Sequence, residues 1–218
     1  YLMWARGKVR ETSVFGENIC LTREVKARLG ESRLFIHDVV ENRGFQRTPH
    51  MILYHINAGF PVVSEHSELL SASTGVVPRD EEARVGLEEY HRFLPPTPGF
   101  KERCYYHEMN ADPAGSVWAA LVNKKFPEGR GFGLYIKYPK SELPRFTEWK
   151  MNGEGTYVVG MEPANCRVEG RDKERERNTL SFLDPGESRE YHLEIGVLPS
   201  KEDISDFEER MRRIKKES

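Results

Sequence analysis

The stretch Trp149-Lys150-Met151-Asn152-Gly153-Glu154-Gly155-Thr156-Tyr157-Val158-Val159-Gly160-Met161-Glu162-Pro163-Ala164-Asn165-Cys166 decides the fold. A glycine turn, Asn152-Gly153-Glu154-Gly155, separates two runs of strand composition, residues 146–151 and 156–161. The second run stops at Glu162, just before Pro163. A carboxylate at the end of a buried strand is desolvated, which raises its pKa unless donors compensate. A turn or salt-bridge glutamate is the plainer alternative.

The same texture extends in both directions. Residues 18–28 alternate apolar and polar, Gly30-Glu31-Ser32 supplies turn chemistry, and residues 34–40 return, which predicts a β-hairpin. Residues 51–56 predict a third, buried strand, closed by the loop Asn57-Ala58-Gly59-Phe60-Pro61. Residues 64–84 are polar and predict an excursion over the surface, and Leu94-Pro95-Pro96-Thr97-Pro98-Gly99 an extended connector. Further strands are expected at 103–109, 117–122 and 131–138, and at 179–183 and 191–197 around Asp184-Pro185-Gly186-Glu187. Residues 169–177 alternate in charge, as a solvated loop or strand does.

Only the C-terminus has helical periodicity. Ser200 and Asp203 form a short capping box, and Ile204, Phe207, Met211 and Ile214 recur at spacings of three and four. The organisation predicted is an all-β antiparallel sandwich or barrel over residues 1–199, with one amphipathic helix over 200–218 packed on it.

Composition excludes several classes. The 33 basic and 35 acidic side chains give a net charge of −2, against a broad nucleic-acid or polybasic membrane surface. No apolar run approaches the roughly 18 residues of a membrane helix. Cys20, Cys104 and Cys166 are odd in number with no C-x-x-C spacing, which argues against a disulfide framework or structural zinc. They read as buried small hydrophobes in a reducing, cytoplasmic protein. The chain begins Tyr1-Leu2-Met3-Trp4, without an initiator methionine and with strand residues already under way. This suggests a domain incomplete at its N-terminus.

There is no phosphate-binding glycine loop and no G-x-S-x-G elbow. His50 and His55, five apart on one expected strand, fall on opposite faces, so neither metal nor cofactor is expected there. His55 closes an apolar run, where an imidazole either transfers protons near neutral pH or is a satisfied core side chain. His107 lies late in the strand Tyr105-Tyr106-His107-Glu108. Trp149 offers an aromatic face for a sugar and Lys150 a donor for hydroxyls or anions, or else a core Trp lies beside an exposed Lys. A metal-dependent barrel isomerase would instead need His50, His55 and His107 around one ion.

The stretch around Glu162 closely resembles a branch of the aldose 1-epimerase (galactose mutarotase-like) superfamily, a branch known as a DUF4432-type domain of unknown function. Residues 9–18, 49–61, 106–108 and 183–188 resemble the same branch. The resemblance implies a galactose mutarotase-like supersandwich, with a sugar site on the concave face of one sheet. It implies that Glu162, in the context Met161-Glu162-Pro163, takes the proton of the anomeric hydroxyl, and that His55 serves as acid toward the ring oxygen. The spacing His55-Ile56-Asn57 is shorter than in the mutarotases, and His107 stands where those enzymes carry an acidic residue. Asn57, His107, Trp149, Lys150 and Asn165 are the implied substrate contacts. Members carry further strands and sugar-binding residues ahead of the region matched by Tyr1, so exposed strand edges, or a homo-oligomer covering them, are expected. The partner implied is a small-molecule sugar. The alternative is a non-catalytic sugar-binding or regulatory sandwich.

Overall fold

The computed structural model describes residues 1–216. Three long strands open the chain, β1 (Leu2–Thr12), β2 (Asn18–Arg28) and β3 (Arg33–Asn42). They are followed by β4 (Thr48–His50), β5 (Ile56–Gly59), β6 (Ser67–Ser71), β7 (Ser73–Pro78) and the short helix α1 (Glu81–Val85). Next come β8 (Arg103–Met109), β9 (Ser116–Asn123), β10 (Phe132–Pro139), β11 (Arg145–Gly153) and β12 (Thr156–Ala164). A short helix α2 (Arg171–Glu176), β13 (Ser181–Leu183), β14 (Ser188–Leu198) and helix α3 (Lys201–Lys216) complete it.

The strands form two main antiparallel sheets, and β13 pairs separately with β4. One sheet has seven strands in the order β1-β2-β3-β14-β10-β9-β6 and the other five, β5-β12-β11-β8-β7. Their facing surfaces enclose the main core. Leu121, Ile136, Tyr138, Tyr191 and Leu193 come from the larger sheet, and Met109, Phe146, Val159 and Met161 from the smaller. This is the antiparallel sandwich expected from the alternating pattern.

Strand β9 reads Ser-Val-Trp-Ala-Ala-Leu-Val-Asn because it is covered on both faces. Val117, Ala119 and Leu121 face the main core, while Ala120 and Val122 meet Ile204, Phe207, Met211 and Ile214 of α3. The helix starts as the capping residues predict. Ser200 Oγ accepts from the Asp203 backbone N–H at 3.1 Å. Asp203 Oδ2 accepts from the Ser200 hydroxyl at 2.6 Å. No helix among the described residues is long and apolar enough to cross a membrane.

Three expectations are corrected. The strand expected at 51–56 is displaced, because residues 51–55 are irregular and the strand is Ile56–Gly59. The backbone there bonds along the end of β12 without forming a regular strand. Ile52 N–H donates to Asn165 Oδ1, and Tyr54 N–H to Pro163 O. The segment makes one isolated bridge, Leu53 with Ala164, and its apolar composition reflects the burial of Tyr54. Residues 64–84 are not a surface excursion but hold β6, β7 and α1, with Ser67, Ser71 and Ser73 buried. The charged run at 169–177 contains α2, anchored by buried Glu174, which accepts from Arg167 N–H and the Thr179 hydroxyl.

Strand β1 pairs with β2 along its whole length and is exposed at every position. All three cysteines are free and buried.

Candidate functional site

The site lies on the face of the five-stranded sheet that points away from the main core. Register sets it out in two rows. Asn57, Gly160, Trp149 and Cys104 are cross-strand partners in one row, and Glu162, Thr147, Tyr106 and Val77 in the next. The hairpin that aligns them turns through Glu154-Gly155, with Gly155 at φ +75°, a conformation glycine adopts without steric cost.

His55, one residue ahead of β5, reaches across Gly160 and places Nε2 2.8 Å from Glu162 Oε1. Gly160 is what lets them meet. A Cβ there would come within 2.7 Å of both Glu162 Oε1 and His55 Cε1. Glu162 is almost wholly buried, whereas the His55 side chain is 42% exposed. Burial pushes the Glu162 carboxyl up to about 7, the negative charge of Glu102 adds to the rise, and Arg79 opposes it.

A second layer surrounds the pair. The Trp149 ring stands edge-on to His55, with centroids 5.4 Å apart. Its Nε1–H donates to Glu102 Oε2 at 2.8 Å. Arg79 donates to Glu102 Oε1 at 2.9 Å and to Cys104 Sγ at 3.0 Å. The Trp149 and Arg79 donors hold Glu102 below the usual carboxylate range. In the row that holds Glu162, the Tyr106 ring carries the Arg167 guanidinium 4.8 Å above it. One buried carboxyl of raised pKa thus touches one half-exposed imidazole, two groups of the kind a paired proton transfer uses.

The structure brings Glu162, His55, Trp149 and Asn57 to one face. Asn57 is exposed beside Gly160. It does not bring the other three expected contacts there. Strand side chains alternate, so Lys150 and His107, next to Trp149 and Tyr106, point to the opposite face. Lys150 Nζ is buried and donates to the Glu89 and Arg92 carbonyls at 3.1 and 2.7 Å. The His107 ring is fully buried, 3.5 Å from Glu148 Oε2. Asn165 clamps the irregular segment before β5, accepting from Ile52 N–H and donating to the His50 carbonyl. His50 lies apart from the site, 2.6 Å from the Tyr191 hydroxyl, and burial holds its pKa down to about 4. His50, His55 and His107 therefore do not surround one ion.

Sequence reading missed Arg79, Glu102, Tyr106 and Gly160. Gly160 carried a signal, since a glycine two residues before Glu162 on one strand shares its face. Arg79 and Glu102 carried none, because long-range pairing alone brings them in.

Comparison with solved structures gives the wider frame. A candidate aldose 1-epimerase from Klebsiella pneumoniae superposes with a TM-score of 0.93 at 26% identity, covering 99% of this chain. This chain spans 56% of that protein's length. A galactose mutarotase-like protein from Clostridium acetobutylicum shares the fold, with a TM-score of 0.60 at 12% identity over 90% of this chain and 62% of its own. Another from Lactobacillus casei gives 0.57 at 13% identity, over 89% and 69%. No curated protein matches the sequence. The family described as a domain of unknown function, DUF4432, matches residues 1–197. On that match the chain belongs to the DUF4432 family, on a fold shared with galactose mutarotase-like proteins.

Proposed function

We propose that this chain acts on the anomeric centre of a sugar, with Glu162 as base and His55 as acid. The observation that carries this is the 2.8 Å contact between a buried carboxyl of raised pKa and a half-exposed imidazole. Ionised Glu162 removes the proton from the C1 hydroxyl, and protonated His55 gives one to the ring oxygen. The C1–O5 bond breaks to leave an open-chain aldehyde, rotation about C1–C2 follows, and reclosure from the other face gives the second anomer. Each placed group contributes roughly 10²- to 10⁴-fold. No net redox change and no covalent intermediate are involved. Trp149 supplies an aromatic wall and Asn57 a donor and acceptor for hydroxyls.

A second reading is a sugar-binding sandwich without turnover. The same contact favours it, because two groups 2.8 Å apart leave no room for a sugar ring between them until His55 swings outward. Saturation-transfer NMR with a panel of aldoses and sugar acids separates the two. Turnover appears as transfer between α and β anomeric signals above the buffer rate. Binding alone appears as sugar line broadening without that transfer. Neither effect with any sugar would contradict both readings.

A further inference from the structure

We propose that His37, Glu190 and His192 form a binding site for one divalent transition-metal ion of the zinc class, on the solvent face of the seven-stranded sheet. His37 on β3 and His192 on β14 are direct cross-strand partners. Glu190 lies two residues before His192 and shares its face. One donor atom from each of the three falls within 4.8 Å of the others. His37 Nε2 is 2.9 Å from Glu190 Oε2, and His192 Nε2 is 4.0 Å from the same oxygen. Nitrogen and oxygen ligands about 2.1 Å from a tetrahedral zinc lie roughly 3.4 Å from one another, so the two nitrogen–oxygen separations need to change by well under 1 Å.

The surroundings prepare one of the imidazoles for this role. Glu142, in the loop after β10, accepts from His192 Nδ1 at 2.9 Å through Oε1 and from the His192 backbone N–H at 2.6 Å through Oε2. With the proton held at Nδ1, the lone pair of His192 lies on Nε2, facing Glu190. A carboxylate on the far nitrogen of a ligating histidine is the usual support of such a ligand. The two rings are stacked, with centroids 4.4 Å apart and planes 9° apart, and the Nε2 atoms of both lie within 4.0 Å of Glu190 Oε2. His192 is pinned, and His37 turns about χ2 to close on the ion. The metal then takes the place of the proton between His37 and Glu190, and water from the solvent side fills the fourth position. All three groups are open to solvent, which gives the ion access.

This site is on the other sheet from Glu162, so its role is a clip between β3 and β14 and is independent of sugar chemistry. The test is isothermal titration of the full chain with zinc chloride, together with thermal unfolding with and without zinc. We expect one saturable site, with Tm raised by zinc and restored by chelator. His37→Ala and His192→Ala each lose the tight site and the Tm rise. Glu142→Gln keeps the site but weakens it roughly 10- to 100-fold, the usual effect of losing such a support. Far-ultraviolet circular dichroism without metal checks that each variant is folded. Zinc uptake equal in the wild type and both histidine variants, or no saturable uptake by the wild type, would overturn the proposal.

Discussion

At the scale of single residues, Glu162 and Gly160 make the sharpest claims. The Glu162 carboxyl keeps its proton up to about pH 7 in the folded chain, against an ordinary value of 4.5. Between those pH values the unfolded chain binds fewer protons than the folded one, so stability falls as pH rises across the window and levels off above it. The fall approaches about 3 kcal/mol. Urea unfolding at pH 4.5, 6 and 8 checks this, and in Glu162→Gln this part of the pH slope should vanish. Gly160→Ala would push the His55 and Glu162 side-chain tips apart without touching backbone. It is expected to leave Tm within a few degrees while lowering anomer exchange at least tenfold (about 1.4 kcal/mol of barrier). Loss of folding in that variant would contradict the placement of the pair. Glu162 and His55 were legible because each is a polar side chain closing an apolar run. Lys150 and His107 were not, because a period of two forbids neighbours such as Trp149 and Lys150 from sharing a face.

At the scale of elements, the strands were legible wherever alternation met turn chemistry. The hairpin of β2 and β3, strand β8, and the pair β11 and β12 lie where alternation and glycine turns put them. The exceptions share a cause. In residues 51–55 apolar side chains are buried by an irregular segment tied down by Asn165, and in β6 and β7 buried serines carry no hydrophobic signal. Local composition records burial in the first case and hides it in the second. Helix α3 was legible through its cap and its stripe. Phe207 is buried against Trp118 and Tyr135 on the outer face of the sheet. Phe207→Ala should cost about 3–5 kcal/mol in chemical denaturation, and Ser200→Ala about 1 kcal/mol. Losses below about 1 kcal/mol for Phe207→Ala would mean the helix does not dock as described.

At the scale of the whole molecule, β1 is an edge of the seven-stranded sheet. Strand β1 presents Met3, Trp4 and Val9 to solvent, and among the described residues its outer edge, eleven residues long, pairs with no strand. A long, partly apolar edge is a template for pairing with another strand. Self-association that rises with concentration is therefore expected in size-exclusion chromatography with light scattering. Lysine at both Met3 and Val9 should reduce it, and a monomer at every concentration would contradict this. The Klebsiella protein, of which this chain spans 56%, has the same sandwich.

The central claim is that Glu162 and His55 move protons at the anomeric centre of a sugar. The most direct measurement is the α-to-β exchange rate by saturation-transfer NMR, taken from pH 5.5 to 8.5 on the wild type, Glu162→Gln and His55→Asn, all confirmed folded. Exchange should exceed the buffer rate in the wild type, rise as pH passes through about 7 while Glu162 ionises, and fall roughly 10²-fold or more in each variant. Enzyme-dependent exchange unchanged in both variants would contradict the account.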